Sequence, residues 1–106
     1  MTRKVISKDE ERLNIVILTN ETLGIVAKGI SRCDVNDNYN REFGIALADT
    51  KAWLKYYKKL SKYYTGKLKL TKAGEDWWIT QLTISKNYAD RRVIEYEKQY
   101  SIIIGG

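Results

Sequence analysis

The side chains best placed to do chemistry in this sequence are the lysines at Lys51, Lys55, Lys58, Lys59 and Lys62, followed by Lys67 and Lys69. The first five recur at steps of four, three, one and three, the spacing of neighbours on one side of a helix. A row of ammonium groups on a rigid helix can track phosphates and release their counterions, so the chemistry is recognition of a polyanion. A solvated helix face is the plainer alternative. Against it stands the absence of interleaved glutamate, because solubilising helices mix signs and gain i,i+4 pairs.

Other constellations offer less. Histidine is absent, which removes the commonest general base, the commonest zinc ligand and any Ser-His or Cys-His pair. Cys33 is the only cysteine; no intrachain disulfide can form, and a buried structural thiol is expected. Asp34, Asp37, Glu42 and Asp49 gather near one loop, but their spacing matches no calcium loop, and turn and cap roles account for Asp37 and Asn40. No catalytic residue, metal site or cofactor is predicted, and the chain reads as a binding protein rather than an enzyme. Trp77-Trp78 with Tyr88, Tyr96 and Tyr100 could stack on unpaired bases, although a core role is the expectation for most of them. Strand alternation would put the two tryptophans on opposite faces, one covering the helix and the other facing solvent or a partner.

Charge is distributed unevenly. The 106-residue chain carries a net charge of +6, yet Thr50 to Gly74 holds eight lysines and no acid, so the remainder is slightly negative. A basic surface of this kind favours nucleic acid or an acidic protein as partner. The length suits one domain spanning 1–106. The longest apolar run, Ile102 to Ile104, is too short to cross a bilayer, and the N-terminus lacks a signal-peptide core, so no membrane partner and a cytoplasmic location are expected.

The elements that must position the lysines follow from periodicity. Leu13 to Thr19 and Leu23 to Cys33 are β-branched and read as a hairpin. From Asn40, a suitable N-cap, to about Tyr64 the pattern is helical, with Gly66 as its stop. Ala46, Trp53, Tyr57, Leu60 and Tyr64 form its apolar stripe opposite the lysines, leaving Asp49 at the core margin or paired with Arg91 or Arg92. Lys67 to Lys72, Trp77 to Ser85 and Arg92 to Ile104 read as three further strands, and Met1 to Arg12 as a frayed segment or a short helix near Lys8 to Arg12. The predicted fold is α+β, an antiparallel sheet of about five strands against one long central helix, in the order β-β-α-β-β-β.

The run Ala27-Lys28-Gly29-Ile30-Ser31-Arg32-Cys33, followed by Asp37, Tyr39-Asn40, Gly44, Ala48 and Lys51-Ala52, resembles small bacteriophage-encoded proteins of unknown function. Their hairpin, loop and helix order is similar to that of domains likened to the double-stranded-RNA-binding domain. The resemblance covers residues 13 to 64. It implies a phage source, the cytoplasm of a bacterial host, and an accessory role: binding nucleic acid, or inhibiting a host defence protein or nucleoprotein complex in the anti-CRISPR or anti-restriction manner. The double-stranded-RNA-binding domain carries its lysines at the start of its last helix, where this chain has Asn40-Arg41-Glu42-Phe43-Gly44. A homodimer is also compatible with the sequence.

Overall fold

The computed structural model describes residues 1–34 and 36–105; Val35, within the expected turn from Asp34 to Asn40, lies outside them. Three strands, β1 (Thr2–Lys8), β2 (Leu13–Asn20) and β3 (Ile25–Arg32), precede two 30-residue helices, α1 (Arg41–Leu70) and α2 (Asp76–Gly105). The sheet is antiparallel in the order β1-β2-β3, with Val16 of β2 opposite both Val5 and Gly29. Asp9–Glu11 form one 3-10 turn between β1 and β2. The β2–β3 turn closes through Gly24, whose φ of 67° favours glycine.

The fold is α+β but differs from the expectation of five strands around one helix. Residues 67–70 are the last turn of α1, which runs through Gly66, and the two expected strands after Trp77 are a single helix. In α2, β-branched and aromatic residues mimic a period of two at Ile94, Tyr96, Tyr100 and Ile102. The pattern that packing selects is Ala89, Val93 and Tyr96, which meet α1 at helical spacing. The N-terminal segment is not frayed: its backbone pairs with β2 over the whole of Thr2 to Lys8.

Alternation gives each strand two faces. On β3, Ile25, Ala27, Gly29 and Ser31 are buried beneath α1, whereas Val26, Lys28, Ile30 and Arg32 are exposed on the other face. The core joins Val16, Leu18 and Ala27 of the sheet to Ala48, Ala52, Tyr56 and Leu60 of α1. Helix and sheet meet without a side chain at the point of contact. A Cβ on Gly29 would overlap the Ala48 carbonyl oxygen and come within 2.5 Å of Ala52 N. One turn earlier, Gly44 leaves room for the buried side chain of Asn14, which receives Ser7 Oγ–H at 2.7 Å and donates to Tyr39 Oη at 3.1 Å. Asn40 caps α1, its side chain accepting from Phe43 N at 3.1 Å.

Helix α1 is about 45 Å long, whereas eight-residue strands span about 26 Å, so its end beyond Leu60 overhangs the sheet. Along its length α1 is also held by α2. Trp53, Tyr57 and Tyr96 stack with centroids 5.8 to 6.2 Å apart, and the Arg92 guanidinium lies over Tyr57 and Tyr96 at 5.5 and 5.2 Å. Each aromatic contact adds about 0.5 to 1.5 kcal/mol beyond area burial. Asp90 accepts from Ser61 Oγ–H and from Lys86 Nζ at 2.6 Å, which holds its carboxyl below the ordinary aspartate range, Lys86 contributing most. Asp49 pairs with Arg3 on β1 at 2.9 Å, not with Arg91 or Arg92, both of which are helical. The result is an elongated body of 60 × 28 × 15 Å.

The seat at Gly29 makes a testable demand. Gly29→Ala should lower unfolding stability by about 3 kcal/mol in urea titration, since backbone on both sides must move. Gly66→Ala, with no atom within 4 Å of the added Cβ, should raise it by about 0.5 to 1 kcal/mol. A Gly29→Ala protein as stable as wild type would rule out this packing.

Candidate polyanion interface

The lysines follow the solvent side of α1 from the β3 edge to α2, and they do three different things. Lys51 Nζ donates to the Ile30 carbonyl at 3.0 Å, and Lys59 Nζ to the Val26 carbonyl at 2.5 Å. Strand β3 is an edge strand, paired with β2 on one side only, and the lysines of α1 reach these two carbonyls from its unpaired side. The match is metrical: eight residues of helix rise about 12 Å, four residues of strand about 13 Å, and the elements run antiparallel. These two lysines therefore occupy edge acceptors that an extra strand would need.

Lys55, Lys62 and Lys69 have no ion pair or hydrogen bond among the described residues and are exposed. Seven residues apart, they form a nearly straight row with about 10.5 Å between successive positions. Lys58 stands beside this row, 3.8 Å from Glu97 of α2, in an exposed and weak pair. Lys67 departs from the expected patch: its ammonium lies 5.5 Å from the centroid of the Tyr63 ring, at the rim of a cleft shared with Leu23 and Trp78. Structure thus brings together six of the seven lysines, two of them already engaged with backbone.

Sequence reasoning did not join Lys28 and Arg32 to this set. Both project from β3 on the face opposite α1, so cations flank the β3 edge on either side. Strand alternation from Val26 to Arg32 could have revealed them.

The remaining candidates resolve into structural roles. Both tryptophans sit in the first turn of α2 rather than on two sheet faces; Trp77 and Trp78 are 63% and 55% exposed and meet edge to face at 4.7 Å. Tyr96 is inside the helix pair, so no planar platform of the expected aromatics exists. Cys33 is half-buried, its thiol 3.5 Å from the Asp34 carbonyl. The Asp34 and Asp37 carbonyls also accept from Arg12 Nη1, at 3.0 and 2.5 Å. This loop, Asn14 and Tyr39 border a cleft of about 420 Å³. Asp9, between Arg41 and Tyr39, has its carboxyl held below the usual range, chiefly by Arg41. Among the described residues no three carboxylate or thiol groups converge as a metal site, and no helix is long and apolar enough to cross a membrane.

No family model matches the chain, and neither curated proteins nor solved structures show a significant match.

The division of labour among the lysines is open to test. Lys51→Ser with Lys59→Ser should promote association that rises with concentration in sedimentation velocity, because the β3 edge loses its guards. Lys55→Ser with Lys62→Ser should leave sedimentation as in wild type. Equal behaviour of the two pairs would remove the edge role.

Proposed function

We propose that the chain is a non-enzymatic nucleic-acid-binding protein whose exposed row of Lys55, Lys62 and Lys69, with Lys58 beside it, contacts phosphates. The observation that carries this reading is the row itself: three solvated ammonium groups in line along a rigid helix, without carboxylate partners among the described residues. The distribution of charge agrees. Helix α1 holds Arg41 and seven lysines against Glu42 and Asp49, while acids and bases balance in the rest of the chain. Helix α1 alone therefore accounts for the net charge of +6. Lys51 and Lys59, anchored on β3, fix the near border of the row, and each can still offer a second N–H to a phosphate. Mutual repulsion among these lysines costs a few tenths of a kcal/mol per close pair, which an anionic partner would relieve.

Contacts of this kind read backbone rather than sequence. Affinity for a 20-base-pair duplex should be modest, with a dissociation constant of roughly 1 to 100 μM near physiological salt, and should fall steeply with salt, with a log-log slope of about −3 to −4 for four phosphates.

A second reading draws on Trp77 and Trp78, exposed at the tip of the helix pair. Paired with the basic row, they suit an inhibitor of a host defence protein of the anti-CRISPR or anti-restriction type, as aromatic anchors beside charge commonly do. Fluorescence anisotropy with labelled duplex and single-stranded 20-mers across a salt series separates the two. The nucleic-acid reading predicts the salt slope above and at least tenfold weaker binding by K55E/K62E/K69E, with Trp77→Ala and Trp78→Ala near wild type. No binding even at low salt, or binding indifferent to both salt and the triple change, would refute it.

A further inference from the structure

The sheet has a second face that α1 does not touch and that the lysine row does not use. Among the described residues no helix packs on it: α1 lies on the opposite side, and α2 packs on α1. Register places Ile6 opposite Ile15, Ile15 opposite Ile30, and Ile17 between Lys4 and Lys28 on this face. Ile6, Ile15 and Ile17 are half-buried, and Val26 and Ile30 are 50% and 44% exposed, whereas Val16 and Leu18 beneath α1 are fully covered. An aliphatic strip of this kind in the middle of a sheet is unusual for a surface that meets only water.

Its charge is one-sided. The side chains sharing this face include Lys4, Lys8, Lys28 and Arg32, and no carboxylate stands among the strand positions that alternate onto it. We infer that the open sheet face is a docking site for an amphipathic helix of a partner protein, with an aliphatic stripe bordered by aspartate or glutamate. Dimensions suit a helix. Three strands are about 14 Å wide and 26 Å long, room for one helix of about 17 residues, and α1 already occupies the other face in that way. Carboxylates along the stripe would meet the four cations as the aliphatic groups lose water, which fixes both orientation and sign.

Other occupants fit less well. A second copy docking through the same face would set these four cations against their counterparts. The outward apolar residues Ile84, Ile94 and Ile102 of α2 are bordered by Arg91 and Lys98 as well as by Asp90 and Glu97, a mixed border that matches the four cations only in part. Nucleic acid would find no aromatic side chain on this face for stacking. A membrane would find no tryptophan, tyrosine or phenylalanine there for the headgroup layer.

The test is methyl NMR on the full chain with labelled isoleucines. The probes are a 17-residue helical peptide with a leucine stripe flanked by glutamate, the same peptide with lysine for glutamate, and phosphatidylserine vesicles. The glutamate peptide should shift Ile6, Ile15, Ile17 and Ile30 and bind at least tenfold more tightly than the lysine peptide. K28E/R32E, checked for folding by its amide spectrum, should reverse that preference, and Ile17→Thr should weaken binding without reversing it. K55E/K62E/K69E should lose the oligonucleotide while the peptide still shifts the same methyls, so this proposal and the nucleic-acid reading can fail separately. Equal binding of the two peptides, shifts confined to helix methyls, a response to vesicles but not to peptide, or dimers that bury the face would each overturn it.

Discussion

Everything in this chain is arranged around the contact of α1 with the bare backbone of Gly29. Helices usually stand off a sheet by the length of their side chains, but here Ala48 and Ala52 rest against a residue with none. Gly44, Ala48 and Ala52, four residues apart, make a ridge of small residues that lets the helix settle over β2 and β3. So close a seat fixes the rotation of α1 about its axis. Lys51, Lys55 and Lys59 each precede a buried member of the line Ala52, Tyr56 and Leu60, and so stand about 100° from it, toward β3. The reach of two of them to the Val26 and Ile30 carbonyls is a consequence of that rotation.

Much of this was legible in sequence, and the rest was hidden for identifiable reasons. The hairpin of β2 and β3 announced itself through β-branched runs, and α1 through its Asn40 cap. The expected stripe held only in part, since Ala46 is exposed and the sheet is met by Gly44, Ala48, Ala52 and Tyr56, flanked by the lysines rather than opposite them. The lysine face followed from spacing alone. Strand β1 was hidden because an edge strand half exposed to water can be mostly charged: Arg3, Lys4 and Lys8 mask Val5 and Ile6. Helix α2 was hidden because it buries little besides Ala89 and leaves Trp77, Ile84, Ile94 and Ile102 in solvent. Its composition resembles a strand, and only packing against Tyr57 and Trp53 reveals its period. Lys67 was misplaced for a related reason, since ending the helix at Gly66 detached it from the geometry that turns it toward Tyr63.

The same geometry divides a single excess of positive charge into parts with different duties. Lysines that cap the β3 edge protect the fold from strand addition, a hazard for any small open sheet. Lysines one turn away are left to solvent, without carboxylates to quench them. Cations of the open sheet face border aliphatic groups instead of a charged ridge, a different chemical invitation. The chain thus carries a polar, linear surface and a broad, mixed one on opposite sides of a layered body 15 Å across its thinnest dimension. On the two proposals made above, what accompanies an acid decides where it belongs: phosphates for the ridge, aliphatic side chains for the face.

The seat of α1 on the sheet is the claim on which these assignments rest, and a carbon-resolved NOESY spectrum of the labelled chain measures it directly. Strong cross-peaks from the Gly29 Hα protons to the methyl groups of both Ala48 and Ala52 are the result the structure requires. Their absence, with cross-peaks from Ala48 and Ala52 to Ile30 or Lys28 in their place, would put the helix in another register and the lysines on another surface.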